Sequence, residues 1–464
     1  SRARDVTRDF EALRAMPENT VDEIEAKSAR LRALTKQGAV AWQLETACDL
    51  NVSAFLLPKT KGGPYAGPDG MPRRGAETVS TSGTIWEWLR EVRPFEPLLS
   101  AAAEATRNAR AFHWPLEFPD VMQRGGFDVV LGNPPWEVLQ LSEQEYFATR
   151  RSEIAALTGA KRKKAIDTLA QTDPSAYAAF VSAKRSSEAI NEFARASGRF
   201  DLTARGKVNT YGLFAELFAA LLGPKGRAGV IVPTGVATDA STAPFFAYLV
   251  EEKRLAGLVD FENRARLFPA VDSRMKFCLL TLGRNEPEAR FAFFLTDPGQ
   301  IAEPERNFTL SPEQIATINP NTRTAPVFRS RRDAELTAQM FRRSSIFILE
   351  GNNHRNPWSV DFHTRLWNMG EDAEHFSLLT EIESGRFSNG RSHSGVRRSL
   401  SRHGLPILES ARRDEDQAPL FEAKTFHQFD HRWVTYPAGG EVSSPSPERM
   451  KGDPSFEVEP RYWV

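Results

Sequence analysis

The sequence predicts an α/β protein, and three observations carry that prediction. Short apolar runs rich in β-branched residues, such as Gly126 to Gly132 and Arg227 to Pro233, are closed by Gly or Pro and read as buried strands. Apolar helical stretches alternate with them, which is the pattern of an open, mostly parallel sheet. The chain is 41% hydrophobic over 464 residues, enough for real cores, so wholesale disorder is excluded.

Taken in order, residues 1–111 read as a helical region. Glu23 to Leu34 and Ala39 to Leu50 carry apolar positions at helical spacing. Residues 58–83 are dense in Pro, Gly, Ser and Thr and break the pattern as a loop or insertion. A further helical stretch runs from about Thr84 to Ala111. Residues 112–299 form the α/β part. After the strand at Gly126 to Gly132, residues 142–206 are polar and rich in Lys, Arg and Ala, a helical insertion. Tyr211 to Leu222 is an apolar helix stopped by Gly223 and Pro224, followed by the strand Arg227 to Pro233 and a helix over 245–256. Leu255 to Phe261, Phe277 to Gly283 and Phe291 to Leu295 are the remaining strands, and the last two predict an antiparallel hairpin at the edge of the sheet. Beyond about residue 300 strands shorten and Pro, Arg, Ser and Asn rise, so residues 300–464 read as a separate α+β region.

Composition narrows the function. Lys plus Arg total 60 and Asp plus Glu total 60, so the chain is no globally basic DNA coat, although a local basic cleft is allowed. Two cysteines, Cys48 and Cys278, exclude a disulfide scaffold and a Cys-only zinc site. With no apolar run near 18 residues and no signal-peptide pattern, the expectation is a cytoplasmic protein without a membrane span. The start lacks Met and opens within a helical pattern, and the end stops on EPRYWV, so both ends read as cut from a longer chain.

The chemistry is concentrated in FDVVLGNPPW, Phe127 to Trp136. A buried strand runs straight into Asn133-Pro134-Pro135-Trp136, and in an open parallel sheet sites lie at the carboxyl ends of strands. Two prolines fix the backbone and remove two donors, leaving carbonyls free to face a pocket. Asn133 adds a side-chain acceptor and Trp136 a flat apolar face. Two acceptors suit the two N–H donors of an exocyclic amino group on a flipped-out base, and they push its nitrogen toward a nucleophilic form.

FDVVLGNPPW resembles the Asn-Pro-Pro-aromatic motif of adenine-N6 DNA methyltransferases. FHWPLEFP (112–119), the stretch from Gly206 to Gly235, the stretch from Leu258 to Gly283 and HQFDHRWVTY (427–436) resemble segments of the large fused restriction–modification and phage-defence methylases. The resemblance implies a partial Rossmann-like methyltransferase sheet with helical insertions, followed by an α+β target-recognition region over 300–464. It implies methyl transfer from S-adenosylmethionine to a flipped adenine in double-stranded DNA. In that reading Asn133 and the Pro134 carbonyl hold the amino group, in the Asn133, Pro134, Pro135, Trp136 site, and Trp136 stacks on the base. Phe277, and after it Phe268, is the candidate for the opposite wall, with plain core packing as the competing reading. Tyr211 and Val232 to Thr234 are expected near the same strand ends.

The cofactor motif of the resembled family is not visible upstream of Asn133. GGPYAGPDG (62–70) is Gly-rich but has no strand before it. The chain therefore reads as a fragment whose cofactor half lies in a missing N-terminal part or a partner subunit, or as a degenerate fold kept for DNA binding without catalysis.

Gly385 to Gly404 holds Arg386, Arg391, Arg397, Arg398 and Arg402 with no acid, a pattern suited to DNA phosphates and guanine edges. Arg329, Arg331, Arg332, Arg342 and Arg343 form a second cluster, interrupted by Asp333 and Glu335, which reads as a helix surface. Glu422-x-Lys424 lacks the upstream Asp of a nuclease, and His427 with His431 lacks a Cys partner for zinc, so neither carries a site.

Overall fold

The computed structural model describes residues 2–59, 79–92, 96–344 and 348–350, together with the backbone of 377–378, 419–420 and 462–463. The chain divides into two compact units, Ser1–Trp358 and Ser359–Val464. In the second unit, β7 (Ser377–Leu378), β9 (Tyr462–Trp463) and β8 (Pro419–Leu420) form a small antiparallel sheet with β9 in the centre. The remaining described elements belong to the first unit.

It opens with helices α1 (Arg2–Arg14), α2 (Val21–Thr35), α3 (Val40–Leu56), α4 (Ser82–Leu89) and α5 (Glu96–Asn108). Thr20 starts α2 with a capping box closed by Glu23, satisfying two orphan backbone donors. Leu50, Leu98, Ala102 and Trp88 make the core between α3, α4 and α5. Two short turns follow, α6 (Trp114–Glu117) and α7 (Pro119–Gln123), each with a proline in its first turn. Trp114 and Phe118 stack at 5.9 Å and both meet Phe127 edge-on, which fixes the entry into the first strand. Asp120 is buried beneath them and takes Arg14 at 2.8 Å.

The sheet is built from β1 (Phe127–Gly132), β2 (Leu222–Pro233), β3 (Leu255–Glu262), β4 (Lys276–Leu282), β5 (Ala289–Leu295) and β6 (Phe308–Leu310), in the order β1-β2-β4-β3-β5-β6. β1, β2, β3 and β5 run the same way, while β4 and β6 run opposite. The expected hairpin between the last two predicted strands does not form. β4 instead inserts between β2 and β3, antiparallel to both, and β5 lies beyond β3. The connection 263–275 returns the chain beside β3, where β4 finds two strands to pair with rather than one. The antiparallel edge is made by β5 and β6. Gly126, at φ +124°, lets β1 start against β2: a Cβ there would lie 2.3 Å from the Leu221 carbonyl oxygen.

Between β1 and β2 lie α8 (Glu143–Ala148), α9 (Ser152–Ala155), α10 (Gly159–Thr172), α11 (Pro174–Ala196) and α12 (Thr210–Leu221). The first four are the predicted helical insertion, with a small core of Phe147, Ile154, Ile166, Leu169 and Phe180. Phe193 on α11 meets Phe55 on α3 edge-on at 5.5 Å, tying the insertion to the first helices. α13 (Gly235–Thr238) and α14 (Ala243–Glu251) follow β2, and α15 (Pro312–Ile318) and α16 (Arg331–Arg343) follow β6. The principal core lies on one face of the sheet, where α12, α14, α15 and α16 enclose Val230, Val232, Leu258, Leu280, Phe245, Phe246 and Phe291.

Residues 308–338 therefore belong to that core through Phe308, Leu310, Ile315, Ile318, Ala334 and Ala338. The expected boundary at 300 does not coincide with a packing boundary, which falls after Trp358. Among the described residues no helix is long and apolar enough to cross a membrane.

Candidate active site at the carboxyl ends of the strands

The carboxyl ends of β1, β2, β3 and β5 share one edge of the sheet, and β4 begins there. β1 ends at Gly132 and delivers Asn133-Pro134-Pro135-Trp136 to that edge. Asn133 is exposed, and its side chain makes no hydrogen bond among the described residues. The Pro134 carbonyl likewise has no partner among them, although the ring itself is buried. Two acceptors thus stand free beside each other in sequence, on a backbone that the prolines stiffen.

Pro135 has a different role from the one its sequence position suggests. Its carbonyl accepts from Thr210 Oγ1 at 2.7 Å, so it is taken up within the fold. Thr210 clamps the loop further: its hydroxyl accepts from Glu137 N at 3.0 Å and its own N–H donates to the Glu137 carbonyl at 2.9 Å. Thr210 opens α12 behind the N-cap Asn209, so the loop is fastened to a helix packed on the main core. Thr210 escaped sequence reasoning because a lone Thr beside a helix start carries no pattern. Its neighbour Tyr211, expected close by, is buried under the sheet, and burial first, then Asp239 and Cys278, push its phenol up to about 12.

Trp136 is half-buried, with Nε1 donating to the Ile231 carbonyl at 3.3 Å. That bond lays the indole onto β2. Trp136 also borders an open depression of about 910 Å³ that includes Leu141, Tyr146 and Lys207.

The two aromatic candidates separate clearly. Phe277 is only 5% exposed, stacks on Phe261 at 5.3 Å and belongs to a small core that Trp136 and Leu267 adjoin. It is a packing residue, which corrects its place as first candidate for the wall of a base pocket. Phe268 is 39% exposed and touches the edge of Phe277 at 5.1 Å, so it is the accessible ring.

Beside them Thr234 Oγ1 donates to Asp260, and Asp260 also accepts from the Phe294 N–H at 3.0 Å. Burial is the main force raising the Asp260 pKa, against these two hydrogen bonds. The Phe294 backbone is left-handed at φ +61°, an unusual conformation for a bulky residue, and the Asp260 bond holds it. Asn263 is fully buried: its Nδ2 donates to the carbonyls of Phe268, Val271 and Asp272 while its Oδ1 accepts from Phe268 N. One asparagine therefore fixes the loop that carries Phe268. Sequence reading missed it, because its role lies in four loop bonds that no spacing announces.

Other expectations fall elsewhere. Arg386, Arg391, Arg397, Arg398 and Arg402 lie outside the described residues, as do the 62–70 segment and the His427/His431 pair. Among the described residues no glycine-rich turn joins a strand to a helix ahead of β1, and β1 pairs on one side only, with β2. The described residues hold no group of three or more His, Cys, Asp or Glu side chains placed to bind a metal.

Residues 87–184, a span that contains Asn133 to Trp136, match the family described as Eco57I restriction-modification methylase. No curated protein matches the chain. Among solved structures, the type I restriction-modification methyltransferase subunit from Streptococcus thermophilus is 14% identical, with 61% of this chain and 58% of that chain covered at a TM-score of 0.28. The type IIG restriction endonuclease BpuSI is 13% identical over 54% of this chain and 26% of its own, at 0.21. A type I restriction–modification complex is 11% identical over 85% of this chain and 74% of that chain, at 0.23. Overlap this loose transfers no residue role. The chain spans little more than half of the first of these proteins and about a quarter of the second. What is similar to a restriction–modification methylase is the segment that carries β1, the Asn-Pro-Pro-Trp loop and the start of the helical insertion.

Proposed function

We propose that this chain is the base-binding part of a restriction–modification or phage-defence DNA methyltransferase that methylates the amino nitrogen of adenine in double-stranded DNA. The observation that carries the reading is the pair of free acceptors, Asn133 Oδ1 and the Pro134 carbonyl, at the carboxyl end of β1 within the methylase-matching span. A flipped adenine offers two N–H donors on its amino group, and the two acceptors take both. The nitrogen lone pair is then released from the ring and directed outward. Positive charge that develops on that nitrogen during methylation is stabilised by the same two oxygens, already oriented by the prolines and by Thr210. No strong base is required. Trp136 and Phe268, which both adjoin the small core around Phe277, are the apolar surfaces for the base plane.

S-adenosylmethionine supplies the methyl group in this reading. Its binding residues belong to another part of the same protein or to a partner subunit. The second face of the sheet supports that arrangement. Val129 is 70% and Leu131 84% exposed on β1, whereas the small core of Phe261, Phe277 and Leu295 covers the same side only toward β3 and β5 and leaves Ile231, Val259 and Leu279 half-buried. Strands of parallel sheets are normally covered on both faces. A second reading, a DNA-binding module that no longer catalyses, is favoured only by the lack of a glycine-rich strand-to-helix turn ahead of β1 among the described residues.

One substitution separates the two. Asn133→Ala in the whole protein should lower transfer of labelled methyl groups to duplex DNA by about 10²-fold or more, the size of effect seen when one preorganised charge-stabilising group is lost. Duplex binding should stay within about twofold, because Asn133 is exposed and unbonded. Methyl groups found on cytosine, or a variant as active as the parent, would sink the proposal. A parent that binds DNA and never methylates it would leave the non-catalytic module.

A further inference from the structure

We infer that Arg264, Lys276 and Arg329, gathered around Glu262 and Phe294 at the same sheet edge as Asn133, form a site for one backbone phosphate of the DNA. The inference rests on the DNA-methylating reading and adds residues that the Asn-Pro-Pro-Trp loop does not contain.

The side chains converge from three separate segments. Glu262 ends β3, and its two oxygens take one cation each: Arg264 Nε at 2.6 Å and Lys276 Nζ at 3.0 Å. Lys276 Nζ and Arg329 Cζ both lie against the Phe294 ring, at 5.0 and 4.6 Å from its centre. Arg329 is close enough to help hold the Glu262 carboxyl below its usual range, after the Lys276 hydrogen bond and the charges of Lys276 and Arg264. Three cations thus share one carboxylate. That carboxylate is nearly enclosed, with its side chain 11% exposed, whereas all three cations open to solvent. In a chain of zero net charge this is a local excess of positive charge over Glu262, which the buried Asp260, close enough to Lys276 to feel its charge, offsets only in part.

The cations are held rather than loose. Arg264 lies two residues after Glu262, next to Asn263, which locks the following loop with four hydrogen bonds. Arg329 precedes α16 and is set by a ring whose backbone Asp260 constrains. Glu262 and the ring spend the side-chain freedom of two arginines and a lysine in advance, and a guanidinium fork fits two phosphate oxygens. Position fits as well. Lys276 pairs with Glu262, and Phe277 pairs with Pro233 on β2, the neighbour of β1. At about 4.8 Å between strands, Lys276 on β4 and Glu262 on β3 stand roughly 10–14 Å from the Asn133 strand end, and the Phe294 ring on β5 roughly 19 Å. That is the reach of a few nucleotides at about 3.4 Å per nucleotide.

The test is duplex binding by the whole chain over a series of salt concentrations. Arg329→Gln and the double variant Arg264→Gln/Arg329→Gln both leave Lys276 to pair with Glu262. Loss of one phosphate contact should make the slope of log Kobs against log salt shallower by roughly 0.9. The control Arg107→Gln, an exposed arginine on α5, should leave the slope unchanged. Glu262→Gln removes the competing carboxylate and should tighten binding at low salt. Salt-dependent binding with the same slope in the cluster variants overturns this site and leaves the DNA reading intact. An equal change in Arg107→Gln overturns it as a net-charge effect. A parent chain that binds no duplex overturns both. Arg329→Gln alone, at an exposed position, reads the same slope if the double variant does not fold.

Discussion

On one face of the sheet Phe245, Phe246, Phe291 and Leu280 are fully enclosed by α12, α14, α15 and α16. On the other, Leu131 lies in the open across Gly229, so close that a Cβ on that glycine would be 3.0 Å from Leu131 Cδ1, and Val129 stands beside it. The strands are common to both faces, so the difference lies in what has been laid on them. Leaving a Val or Leu in water forfeits roughly 1.5–3 kcal/mol each. A strand that spells Val129-Val130-Leu131 is written for burial on both sides, yet in this chain it gets burial on one. The sealed face supplies the stability that positions the Asn-Pro-Pro-Trp loop. The open face is where the methyl-donor half fits in the proposed assembly.

The comparison breaks most sharply at the sealed face. Phe245→Ala should destabilise the chain by about 3–5 kcal/mol, the cost of a large cavity among rigid neighbours. Urea unfolding followed by circular dichroism measures it, and a loss below about 1 kcal/mol would mean the enclosed core is not what holds the sheet.

Tyr211, on the same sealed side, gives a smaller effect that depends on pH. Burial raises its phenol from 10 to about 12. Its folded value lies above its unfolded one, so its contribution is complete below pH 10 and is lost as pH rises from 10 through about 12. The loss amounts to about 3 kcal/mol. Tyr211→Phe should therefore lose less stability than the parent as pH rises from 10 to about 12. Phenolate absorbance that rises near pH 10 in the folded chain would show instead that Tyr211 is open to water.

How much of this could be read beforehand follows from the same physics. β1, β2 and β3 were legible because apolar β-branched runs closed by Gly or Pro are a local signal. The place of the Asn133 loop was legible because a short apolar run leading into two prolines is a local signal for a strand end. The place of β4 between β2 and β3 was not, since strand order is decided by which edges are free in space. β6, α15 and α16 were assigned to the wrong neighbourhood because Pro and Arg around them masked the few residues that bury, Phe308, Leu310, Ile315 and Ile318. Phe277 and Phe268 look alike in sequence. Only the register, which pairs Phe277 with Phe261, separates the core ring from the exposed one.

The smallest expected effect sharpens the comparison from the open side. Leu131→Thr keeps the β-propensity of the strand and removes apolar surface that already faces water. The stability of this chain should change by no more than about 0.5 kcal/mol, as for substitutions away from packed features. Its association should change more. An exposed apolar edge strand invites pairing with another chain, so sedimentation velocity should find the parent more prone to self-association than the variant. The two readouts constrain each other. A loss of several kcal/mol with unchanged association would mean that Leu131 is already covered within this chain, and the contrast between the faces would vanish. Unchanged stability with reduced association would mean that the open face is a docking surface, and that Leu131 stabilises the protein only once its partner is in place.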